Sequence, residues 1–397
     1  MDLSSRYREW LWGALGFVLS VIAMELLLHG IEQSPAWRIL PIVERELGWP
    51  DPETGYALRP DRHIINVREN RSRVSTNSFG MRDKERSLAK SSHSYRAVVT
   101  GDSFTEALQV NDAETFTRLA EAALNPALNQ REYEILNFGM SGAGPVQQYV
   151  QLHHVALDFN PDAIVMILSA DQFLTQELAD DSLNPAYVYN FDGQLELGYA
   201  FRQRPSQRYR DTLLGKFFFR LMDDSRVARA VYLRYATGGS SAALLPPSHG
   251  GKAARLCSAV RLRLERHLKL WQAHEPALAF ARIEKFMLDL AGITSAREID
   301  VALLLYGFGD ARTDCGAAAH IRTTLRTAIE RVVAPHGFRA WDADQMLSVG
   351  RPTLAVRSHQ HGFGGRRGVG HLNHNGHRAY SELLGWVVTE LHGNGQE

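Results

Sequence analysis

The stretch Ala97-Val98-Val99-Thr100-Gly101-Asp102-Ser103-Phe104-Thr105 joins a short apolar β-type run to Gly-Asp-Ser and then to a helical pattern. That order puts one hydroxyl at the C-terminal end of a strand and the N-terminus of a helix. The first-turn N–H groups of a helix lack intrahelical partners, and its dipole favours negative charge there. A serine so placed can attack a carbonyl while nearby amides hold the oxyanion that forms.

The flanking sequence repeats this alternation. Ala97–Thr100, Tyr133–Asn137 and Ala163–Leu168 read as strands, Phe104–Leu124 as mainly helix and Pro145–Leu157 as a second helix. Later, Ala277–Gly292 and His320–Val333 read as helices, Asp300–Tyr306 and Phe338–Asp342 as strands, and Arg378–Leu391 as a closing amphipathic helix. Apolar strand runs separated by helices predict βαβ units and a parallel sheet. Ligands of such sheets bind beyond the carboxyl ends of the strands.

Residues 172–270 break the pattern. They carry Tyr187-Val188-Tyr189, a basic run (Arg202, Arg204, Arg208, Arg210), a Gly238-Gly239-Ser240-Ser241 loop and helical stretches at Leu213–Met222 and Val260–Trp271. This reads as an insertion: a cap, a wall of the cleft or a plain helical extension. The arginines are expected to be a solvated face in preference to an anion site.

The 397 residues are 45% hydrophobic and 22% charged, which suits one large or two smaller globular domains. Lys plus Arg equals Asp plus Glu at 44 each, so no general attraction to nucleic acid is implied. Cys257 and Cys315 are too few for a disulfide framework and fit no zinc motif. They could form one bridge outside the cytoplasm or remain buried thiols.

Trp10 to Gly30 is mostly apolar, broken by Ser20, Glu25 and His29, and Arg6 and Arg8 precede it. The length matches a membrane span of about 20 residues, and the arginines favour a cytoplasmic N-terminus. The remainder would then lie in the periplasm of a Gram-negative cell or on a cell surface. Glu25 argues against this, because a carboxylate is costly in lipid. Residues 31–94 follow as a lead-in whose aromatics and Asn/Gly turn residues predict packing on the domain at 95–392.

Other positions complete the candidate chemistry. The second strand leads to Asn137-Phe138-Gly139-Met140-Ser141-Gly142-Ala143-Gly144, whose small residues let backbone approach a ligand closely. The Gly142 amide could point where the Ser103 amide points. His371 opens His371-Leu372-Asn373-His374-Asn375-Gly376-His377 and could reach Ser103 as base and then acid. Five histidines fall within His359–His377, but no acidic ligand is interleaved and a metal cluster is not expected.

In these blocks the chain resembles the SGNH, or GDSL-type, hydrolase superfamily. It is most similar to bacterial membrane-anchored members, in which an Asn-Ser-x-Gly-x-Arg-Asp stretch precedes Gly-Asp-Ser-Phe-Thr. Here that stretch is Asn77-Ser78-Phe79-Gly80-Met81-Arg82-Asp83. With the predicted parallel sheet, the resemblance implies a three-layer, flavodoxin-like α/β domain. It also implies Ser103 as nucleophile and oxyanion donor, Gly142 as second donor and His371 as general base. The family's asparagine is replaced by Ala170, and the aspartate three residues before the histidine by Gly368. Ser169, Asp171 and Gln172 are the candidate substitutes at the oxyanion. A backbone carbonyl, Asp342 or Asp344 is the candidate to orient His371. The implied function is an extracytoplasmic esterase or deacylase acting on a small ester or an acylated glycan, possessing no metal or organic cofactor. The alternatives are an O-acyltransferase using the same pair and an inactive glycan-binding or scaffold protein. The oligomeric state is not legible.

Overall fold

The computed structural model describes residues 3–33, 47–66, 69–125, 132–169, 184–236, 276–306, 329–347, 359–364 and 370–394. The strands are β1 Gly48–Asp51, β2 Gly55–Leu58, β3 His63–Asn66, β4 Ser72–Ser75, β5 Ser94–Gly101, β6 Glu132–Gly139, β7 Ala163–Ser169, β8 Ala186–Tyr189, β9 Leu195–Gly198, β10 Asp300–Tyr306 and β11 Arg339–Asp342. The helices are α1 Leu3–Gln33, α2 Ser103–Glu106, α3 Phe116–Leu124, α4 Pro145–His154, α5 Pro205–Arg208, α6 Leu213–Asp224, α7 Arg226–Ala236, α8 Pro276–Ser295, α9 Ala343–Leu347 and α10 His374–Asn394.

The five long-range strands form one parallel sheet in the order β11-β10-β7-β5-β6. Numbered along the sheet strands alone this is the 2-1-3-4-5 order of doubly wound folds, so the expected architecture is the one observed. Side chains alternate across the sheet with period two. Ile164, Met166 and Leu168 enter one core with α4 and α8, while Ala163, Val165 and Ile167 enter the other with α3 and α10. Both faces are covered, which is why the strands read as unbroken apolar runs. The order reverses between β5 and β7, so the carboxyl end of β5 sits at the switch point, where Ser103 begins α2.

The stretch 104–124 is mainly helical, as expected, but it is broken into α2, a 3-10 turn at Asp112–Glu114 and α3. Ala107 adopts a left-handed φ of +59° and ends α2 after one turn. The following loop is held from the lead-in: Asn66 Nδ2 donates to Leu108 O at 2.6 Å and Asn70 Nδ2 to Gln109 O at 2.9 Å. Arg82, buried, donates to the carbonyls of Glu106, Ala107 and Val110. These carbonyls leave the helical ladder because side chains distant in sequence satisfy them.

The lead-in itself forms two antiparallel hairpins, β1–β2 and β3–β4, with a small core of Leu47, Leu58, Ile64 and Val74. In the Asn77–Asp83 stretch, the Asn77 side chain accepts the amides of Phe79 and Met81. Gly80 has φ +75°, and a Cβ there would meet the Leu58 carbonyl. The turn aims Arg82 inward. Asp83 pairs with Arg86, which also pairs with Glu121 at 2.6 Å.

Within the basic run, Arg202 and Arg210 clamp the β1–β2 hairpin, whereas Arg208 is exposed as a solvated face would be. Arg202 donates to Pro52 O and pairs with Glu53 at 2.7 Å, and Arg210 donates to Pro50 O at 3.0 Å. Guanidinium groups offer several donors in a fixed plane, which suits them to carbonyls left open at a hairpin. The predicted Val260–Trp271 helix, the Gly238–Ser241 loop and both cysteines lie outside the described residues.

Candidate active site

Ser103 is the first residue of α2. Asp102 caps that turn, its Oδ1 accepting the Phe104 amide at 3.0 Å. Its other oxygen accepts the Tyr306 hydroxyl at 2.5 Å. Tyr306 ends β10 and lies in register with Ser169 at the end of β7. Ser169 hydrogen-bonds the Tyr306 hydroxyl, and burial beside Asp102 pushes that phenol well above the usual tyrosine range. The row Asp102–Tyr306–Ser169 therefore ties three strand ends together under the nucleophile turn. Ser169, a candidate oxyanion substitute, has its hydroxyl hydrogen-bonded to Tyr306. Ala170, Asp171 and Gln172 lie outside the described residues.

His371 Nε2 lies 2.9 Å from Ser103 Oγ. Its Nδ1 lies 2.6 Å from Glu69 Oε1, and its backbone N–H donates to Glu69 Oε2 at 3.0 Å. Glu69 thus grips both the ring and the main chain of His371 from the loop between β3 and β4. With Nδ1–H directed to the carboxylate, Nε2 is left to accept from the serine. The ring is steadied by Phe104, whose centroid lies 5.6 Å away at near-perpendicular inclination.

This corrects the expectation for the orienting group. Asp342 is committed to capping α9, accepting the Gln345 amide at 2.9 Å, and Asp344 lies on α9. Gly368 lies outside the described residues. Glu69 was not legible beforehand because it is 302 positions from His371. One signal existed: the glycine beside the histidine. Gly370 has φ +99°, and a Cβ there would lie 2.7 Å from Glu69 Oε2. The positive φ favours glycine, and a Cβ there would crowd the carboxylate.

The glycine turn after β6 divides into two functions. Gly139 is a packing residue, since a Cβ would strike the backbone of Thr105 and Glu106. Gly142 has φ +76° and open space where a Cβ would stand. Glu106, fully buried, accepts both the amide (2.8 Å) and the hydroxyl of Ser141. Tyr56 donates to the Ser141 carbonyl at 2.6 Å. Burial raises the Glu106 carboxyl above its ordinary range, against the opposing pull of Ser141 and Arg82. Glu106 and Tyr306 were both missed from sequence. Each is an ordinary residue whose role arises only from where the sheet brings it.

Three further histidines of the cluster, His361, His374 and His377, make contacts elsewhere in the fold. His361 Nδ1 lies 3.1 Å from the Gly370 carbonyl, and His374 lies 3.4 Å from Glu114. His377 is buried and its Nδ1 accepts the Phe116 amide at 3.2 Å, at the start of α3. Among the described residues no group of three His, Cys, Asp or Glu side chains is arranged to hold a metal ion.

No protein-family model matches the sequence, and no curated protein matches it. Solved structures do. An alpha/beta hydrolase enzyme from the metagenome of Lake Arreo, Spain, is 13% identical, covers 77% of this chain and 98% of its own, and superposes with a TM-score of 0.36. A variant of an acetyl xylan esterase from Geobacillus stearothermophilus is 8% identical, with 76% and 97% covered and a TM-score of 0.36. A GDSL-like lipase from Bacteroides thetaiotaomicron is 12% identical, with 74% and 88% covered and a TM-score of 0.33. Over the described residues, the chain carries the sheet order, the serine after the first sheet strand and the histidine before the last helix that the SGNH resemblance implies.

Proposed function

We propose that the protein is a serine esterase whose catalytic triad is Ser103, His371 and Glu69. The observation that carries this reading is the unbroken run from Ser103 Oγ to His371 Nε2 at 2.9 Å and from His371 Nδ1 to Glu69 at 2.6 Å. His371 takes the Ser103 proton as Oγ attacks the ester carbonyl. The amides of Ser103 and Gly142 hold the oxyanion, a role supported by the open space beside Gly142. His371 then protonates the departing alkoxide. A water molecule, deprotonated by the same nitrogen, releases the acid from the acyl-enzyme. The residues doing this chemistry are all protein groups.

Glu69 also bears on the inactive alternative. That reading draws on Gly368 standing where an orienting carboxylate is expected, and Glu69 supplies such a carboxylate from another part of the chain. The substrate proposed is an ester-linked acyl group on a cell-envelope polysaccharide. The location proposed is the periplasmic face of a bacterial inner membrane, with α1 as a single span. Arg8–Ile31 is long and apolar enough to cross a bilayer, and Arg6 and Arg8 at its start support a cytoplasmic N-terminus.

Hydrolysis of short-chain nitrophenyl esters by the purified full-length chain tests the reading. Ser103→Ala is expected to lower kcat/KM by about 10³-fold or more. Equal rates for the two proteins would remove Ser103 from the mechanism.

A further inference from the structure

Glu25 sits inside the apolar stretch of α1, where an unpaired carboxylate would be costly in lipid. It is not unpaired. Its oxygens accept the Ser225 hydroxyl at 2.5 Å and the amides of Arg226 and Val227 at 3.0 Å each. These are the first-turn donors of α7, so Glu25 caps α7 from a different helix, and α7 packs against α1. Glu25 lies six residues before Ile31, the outer end of the apolar stretch when the N-terminus is cytoplasmic. At 1.5 Å per residue the start of α7 is therefore held about 9 Å below that end.

The helix leading to that point, α6, presents Leu213, Leu214, Phe217, Phe218 and Leu221 to the outside, exposed by 88, 83, 65, 39 and 40%. The spacing i, i+1, i+4, i+5, i+8 makes one stripe along the helix. In α7, Val231 and Tyr232 are exposed by 64 and 40%. A continuous apolar stripe of this size on a water-facing surface is rare and marks an interaction site. Residues 208–236 carry seven Lys or Arg against three Asp. On the other side of α6, Phe219 lies under the Arg59 guanidinium at 5.4 Å, which joins the helix to the lead-in.

We propose that α6 and α7 form a second membrane attachment, lying in the headgroup–acyl boundary of the outer leaflet beside α1, with an anionic phospholipid bilayer as the occupant of the apolar stripe. Helices of this kind are basic and sink roughly 5–10 Å into that boundary, which is the depth at which Glu25 holds the start of α7. Through Arg59 and the arginine clamps on β1–β2, the attachment also fixes the lead-in hairpins close to the membrane. The proposal rests on the reading of α1 as a span.

The test uses the full-length chain with Cys257→Ser and Cys315→Ser, and single cysteines placed at Leu214, Phe217 or Lys216. Each carries an environment-sensitive fluorophore and is reconstituted in phosphatidylethanolamine–phosphatidylglycerol vesicles. Labelled variants that keep the parent's thermal transition are compared. Flotation with the vesicles reports α1. Quenching by lipids carrying a nitroxide near the headgroup reports α6. The expected result is flotation, with nitroxide quenching severalfold stronger at Leu214 and Phe217 than at Lys216. Flotation with all three probes equally open to aqueous iodide would overturn the attachment and leave the span standing. Probes shielded from iodide yet unreached by the nitroxide would overturn it in favour of a protein occupant, such as a second copy. Failure to float would remove the span and the attachment with it.

Discussion

Gly370 combines a positive φ with a close approach of the Glu69 carboxylate. A glycine at φ +99° beside His371 records in the sequence that something approaches closely, although not what approaches. The nucleophile and base were legible because each follows a local pattern: strand then Gly-Asp-Ser, and histidine before a terminal helix. Glu69 was not, because no local pattern links a loop carboxylate to a histidine 302 positions away. His377 shows the reverse case, a histidine in a conspicuous cluster whose work is structural. Burial, with Arg82 and neighbouring histidines adding to it, pushes its pKa down to about 3. The folded protein keeps it neutral, whereas the unfolded chain protonates near pH 6.5. Stability is thus present above about pH 6.5 and is lost progressively as the pH falls toward about 3, by up to about 1.4 kcal/mol per pH unit. Thermal melts between neutral pH and pH 4.5 are expected to fall more steeply for the parent than for His377→Asn. Parallel slopes would contradict the assignment.

Among the elements, the sheet strands were found within a few residues because both faces are covered and each strand is an apolar run. The helical character of 104–124 was legible, whereas its break after Glu106 was not, because distant donors take the carbonyls there. Arg82 is the centre of that override. It reaches the carbonyl of Glu106 at the end of α2 and those of Ala107 and Val110 in the loop after it, and burial lowers its pKa to about 10 while Asp112 and Glu106 oppose the shift. Removing it strands buried acceptors, which costs far more than a surface ion pair. Arg82→Met is expected to lower unfolding stability by about 3–5 kcal/mol, read from the denaturant midpoint at unchanged slope. Arg82→Lys should recover only part, because one ammonium cannot reproduce the planar fork. A loss below about 1 kcal/mol for Arg82→Met would show that the loop holds without it.

Across the whole molecule, three separated regions converge on one point. The sheet brings Ser103 to the switch point, the terminal segment brings His371, and the lead-in brings Glu69. The lead-in is therefore part of the proposed catalytic apparatus as well as a connection between α1 and the sheet domain. The parallel sheet could be anticipated from alternation, whereas the docking of the lead-in depends on long-range hydrogen bonds with no periodic signature. The central claim is that these three residues act as one unit. Its most direct measurement is the rate of covalent labelling by a fluorophosphonate, with the adduct mapped by mass spectrometry. A single adduct on Ser103 is expected in the parent, none in His371→Ala, and labelling about 10²–10⁴-fold slower in Glu69→Gln, which keeps the shape and loses the charge. Labelling at another serine, or Glu69→Gln reacting at the parent's rate, would contradict it.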